Sequence, residues 1–297
     1  MIENFIKDYE YIKNASLKKY NTYRLDAKAN YLIFPKNISE LINLIKFLKD
    51  NDYKYLILGG GSNVILARLV FDVVIKLDRL NNYSIDGNIV KAEAGVSMIS
   101  LASTCMKKGL YGLAFAGGIP GLVGASTSMN AGAYKEEISD TLKEVKVLTP
   151  NLEIITMSKE ELEYSYRDSF LKRNKDYICL ESTFEMKEDN SEHIKNLMAD
   201  RKRRRVESQP LDKPSAGSVF RNPDGMSAGK IIEELGLKGY SLGGASISEK
   251  HANFIINNGN ANYQDILDLI DFIKKKVKKE LNIDLILEQE IIWWYYG

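Results

Sequence analysis

Two glycine clusters carry the first chemical signal in this chain. The run Ala116-Gly-Gly-Ile-Pro-Gly-Leu-Val-Gly-Ala-Ser-Thr-Ser-Met-Asn-Ala-Gly-Ala-Tyr134 places Gly117, Gly118, Gly121, Gly124 and Gly132 among small and apolar residues. Without Cβ atoms at those positions the backbone can press against a ligand and take positive φ. The small residues from Gly124 to Ser128 suit a short helical turn whose N–H groups would face an anion such as a diphosphate. Gly59-Gly-Gly-Ser-Asn63 forms the second cluster, straight after the apolar run Tyr55-Leu-Ile-Leu58. One such cluster fits a tight-packing turn as well as a ligand contact. Two in consecutive segments favour a single ligand whose long diphosphate is gripped from both sides. Neither cluster is G-x-G-x-x-G with an acidic residue about 20 positions on, so a Rossmann fold is not indicated. A dinucleotide held outside that fold is the expectation. FAD is the candidate, because a flavin that stays through turnover warrants a deep grip.

Other chemistry-bearing residues give weaker signals. Gly225-Met-Ser-Ala-Gly229-Lys230 has too few residues between its glycines for a P-loop and lacks Ser or Thr after the lysine. Arg201-Lys-Arg-Arg-Arg205 could touch nucleic acid, but it lacks interleaved aromatics and fits a solvated helix end near the negative pole of the dipole. Cys105 and Cys179 stand in apolar surroundings without a C-x-x-C pair, so two structural thiols are expected rather than a disulfide. No metal site is indicated. His193 and His251 lie outside the glycine-rich stretches, which makes the flavin non-covalently bound.

Around these residues the sequence pattern calls for α+β lobes. Residues 2 to 19 suggest a loosely amphipathic helical lead-in. A strand at Tyr31 to Pro35, a helix from Ile38 to Lys49 capped by Asn37, and strands at Tyr55 to Leu58 and Val73 to Leu77 make a first lobe over residues 1–80. A second lobe, 81–209, begins with a hairpin turned at Asp86-Gly87. It continues with a helix from Ser97 to Lys108, a hairpin from Lys143 to Thr156, a short helix opened by the capping box Ser158-Lys-Glu-Glu161, a strand from Tyr177 to Met186 and a long helix from Glu192 to Glu207. Gln209 to Gly217 is an irregular connector to a third segment, 210–297. That segment holds a helix from Ala228 to Gly236, a strand from His251 to Ile256 and an amphipathic helix from Asn262 to Leu281 with its stripe at 266, 269, 270, 273 and 277. A closing strand runs from Leu285 to Trp294, and the Trp293-Trp-Tyr-Tyr296 end suits a core or subunit contact.

The 297 residues carry 44% hydrophobic and 27% charged residues with a net charge of +1, an ordinary globular balance. With no bulk field to recruit nucleic acid or membrane, any anion must be bound locally. The mixed, acidic N-terminal residues do not form a signal peptide, and no apolar run reaches the ~20 residues of a membrane span. A cytoplasmic monomer is expected.

Eight motifs then occur in order: Asn21-Thr-Tyr-Arg24, Gly59 to Asn63, Ala116 to Gly124, Met129-Asn-Ala-Gly-Ala-Tyr134, Tyr164-Ser-Tyr-Arg-Asp-Ser169, Ala216-Gly-Ser-Val-Phe-Arg-Asn-Pro223, Ala228-Gly-Lys-Ile-Ile232 and Leu287-Glu-Gln-Glu-Ile291. Over nearly the whole chain this series resembles the UDP-N-acetylenolpyruvoylglucosamine reductase (MurB) family of peptidoglycan precursor synthesis. The resemblance implies a two-lobed FAD-binding domain of the PCMH type with a C-terminal α+β substrate-binding domain. It implies that NADPH reduces the flavin and departs. The enolpyruvyl UDP-sugar then takes hydride on its terminal carbon and a proton on the neighbouring one. Gly59, Gly60, Gly61, Ser62, Asn63, Gly118, Ile119, Gly121, Gly124 and Ala125 match the family's cofactor contacts.

Arg167 matches its arginine, which offers a planar donor fork to a carboxylate gaining negative charge. Ser218 matches its proton donor, and Glu290 its C-terminal glutamate. Glu288 shares Glu290's face by strand alternation, so periodicity alone does not separate the two. Tyr166, Lys213 and Asn222 align with positions around the substrate. The chain departs from the family at Ala67-Arg-Leu-Val-Phe71 and in its Trp-rich end, and with no insertion after Arg173 it resembles the shorter subtype. Two rivals remain: an oxidase on the same two-lobed fold, and a nucleotide-binding protein without turnover.

Overall fold

The structure, a computed structural model, describes residues 1–293. Its first sheet has the order Glu10–Ser16, Lys28–Phe34, Val70–Lys76, Tyr55–Leu58; the first pair is antiparallel and the others parallel. The parallel strands are joined through the Ile38–Asp50 helix, which starts where the Asn37 side chain accepts the Glu40 N–H at 2.9 Å. It turns Leu41, Leu44, Ile45 and Leu48 inward against the sheet. The expected helical lead-in is replaced by the short helix Ile2–Ile6 and the strand Glu10–Ser16. Its weak 3.6-residue pattern gave way to ladder bonds with Lys28–Phe34, a long-range gain that local propensity does not report.

The second sheet is antiparallel, with the order Ile154–Ser158, Leu142–Leu148, Ile178–Glu185, Ile89–Glu93, Tyr83–Asp86. The expected hairpin forms, but Asp86 still pairs with Ile89, so its turn is Gly87-Asn88, one residue later than expected, with Gly87 at φ 55°. Helices Met98–Lys107 and Ser191–Ser208 pack on each other, and Val123–Met129 packs on the Ile178–Glu185 strand. Their shared core contains both Cys105 and Cys179 as buried thiols. The capping box at Ser158 forms both reciprocal bonds, at 2.7 and 3.3 Å, yet only turns follow instead of a helix. A left-handed Glu163 at φ 46° ends the run before one can build.

The third sheet, Ser241–Leu242, Ala245–Ile247 and Ile255–Asn257, packs under Tyr263–Leu281. That helix has the Asn262/Asp265 capping box and buries the expected stripe of Ile266, Leu269, Ile270, Ile273 and Val277. The expected strand from His251 is shorter, because Phe254 N–H turns back to the His251 carbonyl at 3.0 Å. The closing strand is also shorter, Glu290–Ile292, and it leaves its own segment to pair in parallel with Val64–Leu66. Trp293 meets Tyr263 edge to face at 6.1 Å between ring centroids, and the rest of the aromatic end lies outside the described residues.

Candidate active site

The two glycine clusters meet. A Cβ on Gly60 would lie 3.1 Å from Gly121 Cα, and one on Gly59 would lie 2.8 Å from Ala125 Cβ. Ser62 Oγ donates to the Pro120 carbonyl at 2.7 Å and bolts the loops together. Gly61, at φ 65°, takes the left-handed turn that only a residue without Cβ makes easily, and its carbonyl accepts the Thr22 N–H at 3.0 Å. The buried Lys76 ammonium donates to the Gly59 carbonyl and holds it turned inward, while burial pushes that ammonium's pKa down. Pattern reading does not reveal Lys76, which ends a strand after the apolar run Val73-Val-Ile75.

Together the loops wall a cavity of about 1220 Å3. Gly59, Gly60, Gly61, Ser62, Asn63, Ile119, Gly121, Gly124 and Ala125 all line it. Gly118 does not; it accommodates the Arg205 side chain, whose Cδ would be 3.1 Å from a Cβ there. The helix Val123–Met129 forms as expected, but its first amides do not await an anion. Val123 and Gly124 donate to the Val96 and Ala94 carbonyls, each at 2.9 Å. Gly124 is thus glycine for packing as well, since a Cβ would meet Ala94 Cβ at 2.7 Å.

Arg167, Ser218 and Glu290 come from three distant segments and all line this cavity, with Tyr166, Lys213 and Asn222. The Tyr164-Ser-Tyr-Arg-Asp-Ser169 segment is fastened to the end of the glycine-rich stretch. Tyr164 Oη donates to Thr127 O at 3.1 Å, Asn130 Nδ2 to Ser165 O at 2.9 Å, and Ser169 Oγ to Ser128 O at 2.6 Å. Arg167 has φ 55° and turns its guanidinium back onto the carbonyls of Asn130, at 3.3 Å, and Gly132. Its tip also lies 5.0 Å from the Tyr166 ring centroid. Ser218 is half-buried, and its hydroxyl makes no hydrogen bond among the described residues. Asn222 is partly committed: its Oδ1 accepts the Ala228 N–H at 3.0 Å.

The Leu287-Glu-Gln-Glu segment reaches the site between two units. The Glu288 N–H donates to Val219 O at 2.8 Å, and the Glu290 N–H to Asn63 O at 2.9 Å. Gln289 faces away, accepting from Tyr23 Oη at 3.0 Å and donating to Ala216 O at 3.0 Å. Both glutamates therefore line the cavity. Glu290 pairs with Lys175 at 2.7 Å, and Glu288 faces Arg167 Nε at 3.5 Å. Burial pushes the Glu288 carboxyl up, against the pull of Arg167, Lys172 and Arg221.

Two further lining residues escaped the sequence reading. Arg205 and Gln209 sit one helical turn apart, and Arg205 Nε and Gln209 Oε1 are buried without a hydrogen-bond partner among the described residues. Burial lowers the Arg205 pKa. The signal was the i, i+4 spacing of Arg201, Arg205 and Gln209, hidden inside a run that looked uniformly solvated. Arg201 is likewise turned inward, gripping Glu136 through both terminal nitrogens at 2.8 and 2.6 Å.

Comparison with known proteins adds identity to this geometry. Residues 209–293 match the family model of the UDP-N-acetylenolpyruvoylglucosamine reductase C-terminal domain, and residues 29–158 match that of an FAD binding domain. A UDP-N-acetylenolpyruvoylglucosamine reductase of Caldanaerobacter subterraneus is 41% identical over 98% of this chain and 96% of its own length. One of Clostridium novyi is 43% identical over 97% and 94%. The crystal structure of the MurB enzyme from Thermus caldophilus superposes with a TM-score of 0.80 at 34% identity, covering 97% of this chain and 99% of that one. A solvent-stable cholesterol oxidase, at 19% identity and a TM-score of 0.50 over 62% of this chain and 39% of its own, shares the fold alone. The chain belongs to the UDP-N-acetylenolpyruvoylglucosamine reductase family.

Proposed function

We infer that the cavity reduces the enolpyruvyl group of UDP-N-acetylenolpyruvoylglucosamine to UDP-N-acetylmuramate, with FAD resident and NADPH as the electron source, as a cytoplasmic monomer. The observation that carries this is the opening of the glycine-lined wall, Arg167, Ser218 and Glu290 onto one cavity. The wall fits FAD: the backbones approach so closely at Gly60 and Gly121 that side chains are excluded. Arg205 Nε and Gln209 Oε1 add a donor and an acceptor that nothing in the chain satisfies among the described residues.

When bound, the flavin supplies hydride to the terminal carbon of the substrate double bond. The residues of the chain manage the charge and proton that follow. Arg167 has its terminal nitrogens braced on backbone carbonyls, and the N–H groups left over stabilise negative charge delocalised into the substrate carboxylate. Its brace is preformed, so little reorganisation accompanies the reaction. Ser218 gives its hydroxyl proton to the carbon beside the carboxylate; with no partner among the described residues, the hydroxyl can turn toward that carbon. Glu290, held by Lys175, assists at the same carbon. Tyr166, Lys213 and Asn222 flank the sugar nucleotide.

Replacing Ser218 with alanine tests the assignment. Flavin reduction by NADPH should stay within about twofold of wild type, while reoxidation by the enolpyruvyl sugar nucleotide slows by roughly 10²- to 10⁴-fold, the range of general acid catalysis. Stopped-flow absorbance of the flavin reads both steps, and equal slowing of the two would remove the role. NADPH oxidation that follows oxygen rather than the sugar nucleotide would favour an oxidase instead.

A further inference from the structure

We propose that Glu288 is a positioning residue for Arg167, gripping the Nε edge of its guanidinium so that the side chain keeps one aim into the cavity; this rests on the reading of Arg167 given above. A guanidinium is a flat fork with one hydrogen on Nε and two on each terminal nitrogen. In Arg167 the terminal nitrogens each donate to a backbone carbonyl, of Asn130 and of Gly132. The Nε edge faces Glu288 Oε1 at 3.5 Å, with both side chains only 14% exposed. The two carbonyls hold the tip, and Glu288 holds the inner edge and fixes the rotation of the plane.

The rest of the arrangement makes this contact directional. The left-handed backbone of Arg167 is itself pinned, its carbonyl accepting from Lys172 Nζ at 2.8 Å and from Arg221 at 3.1 Å. Glu288 is equally fixed. Its N–H is tied to Val219 O at 2.8 Å, its carbonyl accepts Asn63 Nδ2 at 3.1 Å, and Gln289 beside it is locked in the opposite direction. A carboxylate delivered by so rigid a backbone sets the position of its partner rather than following it. Glu290, on the same face of this segment, is paired with Lys175, so the two carboxylates face different cations. A 3.5 Å separation is an ion pair with slack rather than a short hydrogen bond. An amide oxygen at the same place could therefore still receive Nε–H.

The test is a double-mutant cycle read by stopped-flow flavin absorbance on the FAD-loaded protein. Glu288→Ala should slow substrate-driven reoxidation by roughly 10- to 100-fold, the scale of an ångström-level misplacement, with bound flavin and NADPH-driven reduction unchanged. Glu288→Gln should restore most of that rate. In an Arg167→Ala background, adding Glu288→Ala should cost nothing further, because the glutamate acts through the arginine. The proposal is overturned by a wild-type rate in Glu288→Ala, by equal slowing in both backgrounds, or by a glutamine variant as slow as the alanine one. Loss of flavin from both Glu288 variants would also overturn it, since the role would then be structural. If Arg167→Ala by itself leaves reoxidation untouched, the reading of Arg167 fails instead, and a failure of that kind is seen before the cycle is closed.

Discussion

Glu288 and Glu290 stand two residues apart on one face of an extended segment, yet their surroundings differ in kind. Desolvation dominates at Glu288 and lifts its pKa above the ordinary carboxylate value despite Arg167, Lys172 and Arg221 nearby. The sign for stability follows. Between the unfolded carboxyl value and the raised folded one, the native state binds more protons than the unfolded state, so stability falls as pH rises through that window. Glu288→Gln should flatten this part of the stability–pH curve, with the variant gaining on wild type toward neutral pH. Urea midpoints at closely spaced pH values between about 4 and 8 would show it, and parallel curves for the two proteins would refute it.

At this scale the sequence was legible where a motif carried information beyond residue type. Periodicity put both glutamates on one face and could not choose between them; the structure shows that each has its own cation. Composition made Gly118 and Gly124 look alike, but Gly118 yields to Arg205, whereas Gly124 lines the cavity and packs on Ala94 as well. Lys76 was missed because a single buried cation leaves no periodic trace, and Arg205 because its i, i+4 spacing with Arg201 and Gln209 was masked by the basic run around it.

The helix Ser191–Ser208 shows what a charge run conceals. Arg203 lies 61% exposed, pairing with Asp200 and Glu207 on the wet face. Arg201, 11% exposed in its side chain, grips Glu136, which also receives the Tyr111 hydroxyl. Tyr134 Oη donates to the Arg201 carbonyl at 2.8 Å, tying the helix to the end of the glycine-rich stretch. Thermal melts should separate the two. Arg203→Ala should change stability by less than about 1 kcal/mol. Arg201→Ala should cost roughly 3 kcal/mol, because Glu136 is left half-buried without its partner. Equal losses would mean that the inward pair contributes no more than a surface one.

Elements with strong local signals were legible: the Asn37 cap, the hairpin of Tyr83–Asp86 with Ile89–Glu93, the stripe on Tyr263–Leu281. Three others were not. The strand Glu10–Ser16 and the shortened strand Glu290–Ile292 exist because of partners elsewhere in the chain. The capping box at Ser158 formed its bonds without a helix, since two bonds do not offset a left-handed residue five positions later.

Across the described residues, the three larger sheets lie in residues 10–76, 83–185 and 241–257. What joins the first to the third is buried and specific: the parallel pairing of Glu290–Ile292 with Val64–Leu66, Tyr23 with Gln289, and Asn257 Nδ2 with Tyr23 O at 2.8 Å. Asn63 and Glu288, bonded to each other, are 225 residues apart in the chain. Contacts of such separation carry a large loop-closure cost and form late. In refolding from urea with FAD present, quenching of flavin fluorescence should therefore lag behind the far-ultraviolet signal of secondary structure. Coincident traces would show that the glycine-lined wall binds without that closure.

The pairing of Val64–Leu66 with Glu290–Ile292 also bears on biosynthesis. A ribosome that has translated both glycine loops has not yet made the strand that borders the first of them, nor Glu288 and Glu290 at the cavity wall. Most of the pocket's walls can fold as they emerge, but its chemistry is completed only once the polypeptide has been made through Ile292. The onset of activity thus awaits the synthesis of that strand.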